Sequence, residues 1–249
     1  LYDEMHNRYA LRFFSGKPWQ CYGVMGTAWV ALSWSLYAAR CRRLAAFMAG
    51  MAPAIHVTLG LWCLAMGAAG MLLSRSRHPQ ACRKTLLWGA AGMTVTLASF
   101  ALSQYHARHV PEISPDLRDA YVRAFSEGWD THRRPADLLA PATYYGLCAL
   151  ALSLVWLRRL RHELTAGADF LMGVMLASSI VGLLLVFSTH FPDQLPTIVL
   201  MVMPARFINV TCFLLPALVL GLLYRRNQVF PLLVLAGCCF YLATRRYYL

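Results

Sequence analysis

The sequence predicts an all-α membrane protein: a polytopic membrane helix bundle with a broken helical hairpin and a re-entrant segment. Three observations predict it. Hydrophobic residues make up 59% of the 249-residue chain and charged residues only 14%, against roughly 25% charged in an ordinary soluble domain. The apolar residues gather into stretches near the length a bilayer requires, about 20 residues at a rise of roughly 1.5 Å each. The charges sort between those stretches, arginines in some connections and nearly all the acids in the others. That sorting is how membrane proteins set their orientation.

Residues 20–39, 85–104, 138–157, 168–187 and 207–224 read as clean spans. Two further stretches, 44–73 and 229–243, are respectively too long and too short for a simple crossing. The arginine-rich connections are Arg40, Arg42 and Arg43; then Arg75, Arg77, Arg83 and Lys84; then Arg158, Arg159 and Arg161; and last Arg225 with Arg226. If all are cytoplasmic, an even number of crossings separates any two. Segment 85–104 then leaves the cytoplasm and 138–157 returns, as do 168–187 and 207–224.

Segment 44–73 has basic flanks on both sides and Pro53 in its middle, where the ring interrupts the helical hydrogen-bond ladder. The economical solution is a hairpin of two short helices turning near Pro53-Ala54-Ile55-His56; the alternative is one long, kinked, tilted helix. Residues 195–224 read as an apolar stretch broken at Pro204-Ala205-Arg206, a short re-entrant piece followed by a full span. The expectation is about eight membrane segments in a single transmembrane domain over 1–249, with the amino terminus outside. Because the chain opens on Leu1 and ends soon after a short apolar run, it is expected to be a fragment of a longer protein.

This topology puts Asp3, Glu4, Glu112, Asp116, Asp119, Glu127, Asp130, Asp137 and Asp193 outside, and only Glu163 and Asp169 inside. The outer loop from about 105 to 137 carries a helix start at Ser114-Pro115-Asp116: a capping hydroxyl, a proline in the first turn and an acid at the positive dipole end. Leu117, Tyr121 and Phe125 then form one apolar stripe before Gly128. A short interfacial helix of this kind lies along a membrane surface, or packs on the protein's own outer loops.

The net charge of +12 invites a nucleic-acid reading. The basic residues form no single patch, however; they cap hydrophobic segments in twos and threes, which suits anionic headgroups and excludes nucleic acid as the expected partner. Only Lys17 and Lys84 are lysines, a usage that fits a GC-rich bacterial genome, so the expected location is the bacterial inner (cytoplasmic) membrane. The eight cysteines show no metal-type spacing and predict no disulfide framework.

Among residues that can carry chemistry, Arg206 stands first, a guanidinium within an apolar stretch, suited to a lipid or sugar phosphate or to a structural role at the outer interface. His56 sits in the predicted hairpin turn, as a phosphate contact, a proton carrier or a hydrogen-bonding structural residue. The run Trp129-Asp130-Thr131-His132-Arg133-Arg134 mixes an acid, an imidazole and two guanidiniums just before a span, a composition that suits an anionic headgroup or a diphosphate leaving group. His190 belongs to a second polar outer loop, Ser188 to Asp193. At the amino terminus, Asp3 and Glu4 form an acid pair able to act as general base or to hold a divalent metal ion.

The pattern Asp3-Glu4, Tyr9-Ala10, Gly16 and Trp19 resembles the first outer loop of GT-C-type membrane glycosyltransferases. That resemblance implies transfer of a sugar from a polyprenyl-phosphate-linked donor to an acceptor at the outer face. It also implies Asp3 as catalytic acid or base with Glu4 beside it, and Arg206 and the Arg133-Arg134 pair on lipid phosphate. Two other classes stay open beside it: a transporter or flippase for an anionic lipid-linked substrate, and a non-catalytic membrane subunit. Transport would need a polar path across the bilayer.

Overall fold

The computed structural model describes residues 21–74, 79–108, 113–124, 141–162, 164–188, 190–191 and 206–227. Among the described residues every regular element is helical. The expected spans 20–39, 85–104, 168–187 and 207–224 correspond to helices α1 (Cys21–Ala38), α4 (Pro79–Ala107), α7 (Ala166–Ser188) and α8 (Arg206–Arg226). Segment 138–157 corresponds to α6 (Pro141–Val155), continued by a π turn at Trp156–Leu160. Residues 195–205 and 229–243, where the re-entrant piece and the last short segment were expected, lie outside the described residues.

Helix α1 ends in a six-residue closing motif. The Arg40 amide donates to Tyr37 O at 3.1 Å and the Cys41 amide to Leu36 O at 2.9 Å. This pair of hydrogen bonds requires a left-handed residue at its centre, and Arg40 fills it with φ 68° where glycine would be cheaper. Helix α2 (Arg42–Ile55) then runs back along α1, since Trp29 Nε1 donates to Met48 O at 2.7 Å and Gly26 lies against the His56 ring.

The break in segment 44–73 falls at His56, three residues beyond the proline. Pro53 stays inside α2, near its carboxy-terminal end, so the helix runs on through Ile55. His56 is extended, with φ −152° and ψ 107°, and its amide still donates to Ala52 O at 3.0 Å. Helix α3 (Val57–Leu73) starts at once and returns antiparallel to α2. So sharp a reversal needs the two backbones to touch, and Gly60 allows it: a Cβ there would run into Pro53 N and Ala52 C. Descending, α3 passes Trp34, whose Nε1 donates to Cys63 O at 3.3 Å. It then packs on α7, where Gly70 meets Phe170 and Val174.

Helix α4 runs parallel to α2 along a seam of small residues. A Cβ at Gly50 would strike Gly89 O, one at Gly92 would strike Phe47 O, and Thr96 Oγ1 donates to Gly50 O at 2.8 Å. Small residues at spacings of three and four let two backbones approach this closely. The rest of α4 is bare: Leu86, Leu87, Val95, Leu97 and Leu102 are all exposed.

At the centre, α7 packs against α3, α6 and α8. Met172, Val174 and Met175 are fully buried there and share one apolar core with Trp34, Cys63, Trp156, Leu214 and Leu218. Contacts between Tyr37 and Phe170 and between Gly167 and Ala38 bring the end of α1 to the start of α7. The α1–α2 turn, the end of α3, the π turn and the start of α7 therefore share one end of the bundle. Arg40, Arg42, Arg43, Arg158, Arg159 and Arg161 all belong to that end. Helix α5 (Pro115–Ala124) begins as its sequence predicts, with Ser114 Oγ accepting from the Leu117 amide at 3.3 Å.

Candidate functional site

The sequence-predicted candidates separate into those the structure describes and those it does not. Asp3, Glu4, Asp130, His132, Arg133 and Arg134 lie outside the described residues. Of Arg206 the structure describes only the backbone, as the first residue of α8. His56 and His190 are described in full, and their surroundings differ sharply.

His56 is buried, 5% exposed, between α1, α2 and α3. Its Nδ1 accepts from the Leu59 amide at 3.4 Å, capping the first turn of α3, and its carbonyl accepts from the Gly60 amide at 2.7 Å. A histidine at a helix junction suits this work because one ring serves as cap while the backbone closes the turn before it. His190 instead lies exposed in the turn after α7. Its amide donates to Phe187 O at 3.2 Å, and the neighbouring Phe191 ring sits 5.5 Å from Phe187.

Among the described residues the densest arrangement of charge lies at the arginine end, where the sequence had suggested only a topology signal. Asp169, in the first turn of α7, is 3% exposed. Its Oδ1 accepts from Trp156 Nε1 at 3.0 Å and lies 3.6 Å from Arg161 Nε. The Arg161 guanidinium stacks 5.5 Å from the Trp156 ring centroid, and its Nη2 donates to Leu73 O at the end of α3. One arginine thus joins the π turn, α7 and the last carbonyls of α3.

The π turn makes this geometry possible. The Arg161 amide bonds to Trp156 O, five residues back, at 3.0 Å. One inserted residue rotates the rest of the helix by about 100° relative to an uninterrupted α-helix. Trp156 therefore faces inward while Arg161 reaches across to α3. The carboxylate also complements the amino-terminal dipole of α7, whose first turn is capped by Thr165 Oγ1 accepting from the Ala168 amide at 3.3 Å.

The signal that could have found this cluster is Asp169 itself, one of only two acids assigned to the arginine-rich side. An acid beside an apolar span, against the local charge trend, calls for a cationic partner.

Within the bundle the buried hydroxyls mostly bond backbone carbonyls. Ser33, Ser153 and Ser179 donate to Trp29 O, Ala149 O and Met175 O within their own helices. Ser178 Oγ is buried without a hydrogen-bond partner. Among the described residues, no three His, Cys, Asp or Glu side chains come together as a metal ion would require.

The described fold is thus an all-helical bundle in which α4 from Arg83 and α7 are long and apolar enough to cross a membrane. No family model, no curated protein and no solved structure matches the chain.

Proposed function

We propose that the chain is a multi-pass membrane protein of a bacterial inner membrane that works on an anionic, polyprenyl-phosphate-type lipid at its outer face. The observation that carries the membrane reading is the surface of α4. Only 17% of its apolar window is buried, and Leu86, Leu87, Trp88, Val95, Leu97, Phe100 and Leu102 are all exposed. A soluble protein hides such a helix, because contiguous apolar surface of that size costs it solubility; a bilayer covers it without cost. Together α1, α2, α3, α6 and α8 supply the remaining crossings. The arginine end faces the cytoplasm by the charge rule.

Of the functions open to such a protein, GT-C-like sugar transfer has the strongest support, from the gathering of acids on the side opposite the arginines. In that reaction the acceptor hydroxyl attacks the anomeric carbon and the bond to the lipid phosphate breaks. Asp3 takes the hydroxyl proton, and Arg133, Arg134 and Arg206 stabilise the departing phosphate. A transport path has less support, because the described buried hydroxyls mostly bond carbonyls of their own helices.

The test is turnover of polyprenyl-phosphate sugars by the full-length protein in liposomes, wild type against Asp3→Ala and Arg206→Ala. Loss of a general base lowers turnover by about 10²–10⁴ while lipid-donor binding persists. Normal turnover in Asp3→Ala, or none by wild type across a broad donor panel, contradicts the transferase reading.

A further inference from the structure

The two helices joined by the glycine seam each carry a cation one turn before an aromatic residue. Arg43 precedes Phe47 on α2, and Lys84 precedes Trp88 on α4. Residues four apart share a helix face, so each cation stands beneath its own ring. The two rings meet across the seam, with centroids 6.4 Å apart and an edge-to-face angle of 81°. Because α2 and α4 run parallel, that contact also places the cations. Both lie one turn nearer the arginine end, on the same side of the α2–α4 groove. In the sequence Arg43 and Lys84 belong to different connections, so only the fold brings them to one groove.

We infer that this end of the α2–α4 groove holds an anionic phospholipid of the cytoplasmic leaflet, its phosphate between Arg43 and Lys84 and an acyl chain along Leu44 and Trp88. This inference rests on the membrane reading of the chain. Three observations commit it to a lipid. First, the positive charge has no acid beside it on either helix. Arg43 and Lys84 are both exposed, and neither α2 nor α4 contains an aspartate or glutamate. Asp169, the acid described at the arginine end, is held by Trp156 and Arg161.

Second, apolar surface stays open beside the cations. Helix α2 packs against α1, α3 and α4. Among the described residues Leu44, 52% exposed, is its one large apolar side chain left open. On the other wall Trp88 is 46% exposed. A soluble anion has no use for that surface, whereas a lipid needs it next to its phosphate. Third, the order of groups along the groove fits the boundary, aromatic rings toward the bilayer and cations toward water. Long cationic side chains there reach phosphate depth while their stems stay with the acyl chains. Basic pockets between spanning helices on the cytoplasmic side take anionic headgroups by this arrangement.

The test is native mass spectrometry of the full chain released from mild detergent micelles. Dioleoyl phosphatidylglycerol is the anionic probe and dioleoyl phosphatidylcholine the zwitterionic one. Wild type is compared with Arg43→Gln, Lys84→Gln and Arg158→Gln, the last an exposed cation of the π turn. Wild type is expected to retain phosphatidylglycerol in preference to phosphatidylcholine. Arg43→Gln and Lys84→Gln should each weaken that binding about fivefold, and Arg158→Gln should leave it near the wild-type value. The two groove substitutions lie on different helices, so if one variant fails to fold the other decides. Equal weakening by all three, no preference for the anionic lipid, or displacement of the lipid by excess inorganic phosphate overturns the site. Failure of the membrane reading shows separately, as recovery of the wild-type chain in the soluble fraction of lysed cells, and overturns both.

Discussion

Helices α4 and α7 are both long and apolar enough to cross a bilayer, yet they are built for opposite neighbours. Of α7's apolar window 56% is buried, against 17% for α4. Helix α7 is surrounded by α3, α6 and α8 and carries a buried, paired carboxylate in its first turn. Helix α4 touches chiefly α2, through glycines, and leaves Leu86, Leu87, Trp88, Val95, Leu97, Phe100 and Leu102 exposed. Apolarity alone therefore does not distinguish a central helix from a peripheral one. The difference lies in where small and polar residues are placed, because within lipid close packing and hydrogen bonds hold helices together while apolar surface alone does not.

The contrast between the two helices depends most on Asp169. Replacing it with alanine leaves the Trp156 N–H without its acceptor and Arg161 without its counter-charge at the base of α7. A loss of about 3–5 kcal/mol is expected in denaturant unfolding of the purified protein in mild detergent. Asp169→Asn keeps an acceptor for Trp156 and should lose less. Next in size is Met175→Ala in the fully buried face of α7, expected to cost about 2–5 kcal/mol by the same measurement.

On the α4 side the sensitive position is glycine. Gly92→Val forces a side chain into Phe47 O and should cost about 1–3 kcal/mol, with separation of α4 from α2 visible as faster proteolysis of the α3–α4 connection. Arg40→Gly should work in the opposite direction. It relieves a left-handed non-glycine residue and should stabilise by about 1 kcal/mol or less, at the expense of one charge that sets topology. Smallest of all is Leu97→Ala on the bare face of α4, expected within about 0.5 kcal/mol. A cost at Leu97 equal to that at Met175 would mean that a protein surface covers α4.

Much of the fold was legible in the sequence because span-length apolar stretches and arginine clusters are local patterns. The hairpin in 44–73 followed from basic flanks on both sides, and the start of α5 from Ser114-Pro115-Asp116. What was not legible depends on residues far apart in the chain. The Arg161–Leu73 bond joins positions 88 apart, and the α2–α4 seam pairs glycines about 40 residues apart that each look ordinary in their own helix. The break fell at His56 because Pro53 sits near enough to the end of α2 for the helix to run past it, a matter of where the chain can turn against Gly60. Of the candidate site, His56 emerged as a buried cap and His190 as an exposed turn residue, while the Asp169 cluster was hidden within a connection read only for its charge.

In the proposed topology the bundle crosses a membrane with its arginine end inside. The most direct test is labelling of intact cells with a membrane-impermeant maleimide, followed by mass-spectrometric mapping of the modified cysteines. Exposed Cys41, in the α1–α2 turn, reports the arginine end, and a His190→Cys variant reports the end of α7. Labelling at position 190 in intact cells, with Cys41 reached only after the membrane is permeabilised, is the predicted result. Labelling of Cys41 in intact cells, or equal labelling of both in protein recovered from the soluble fraction, would contradict it.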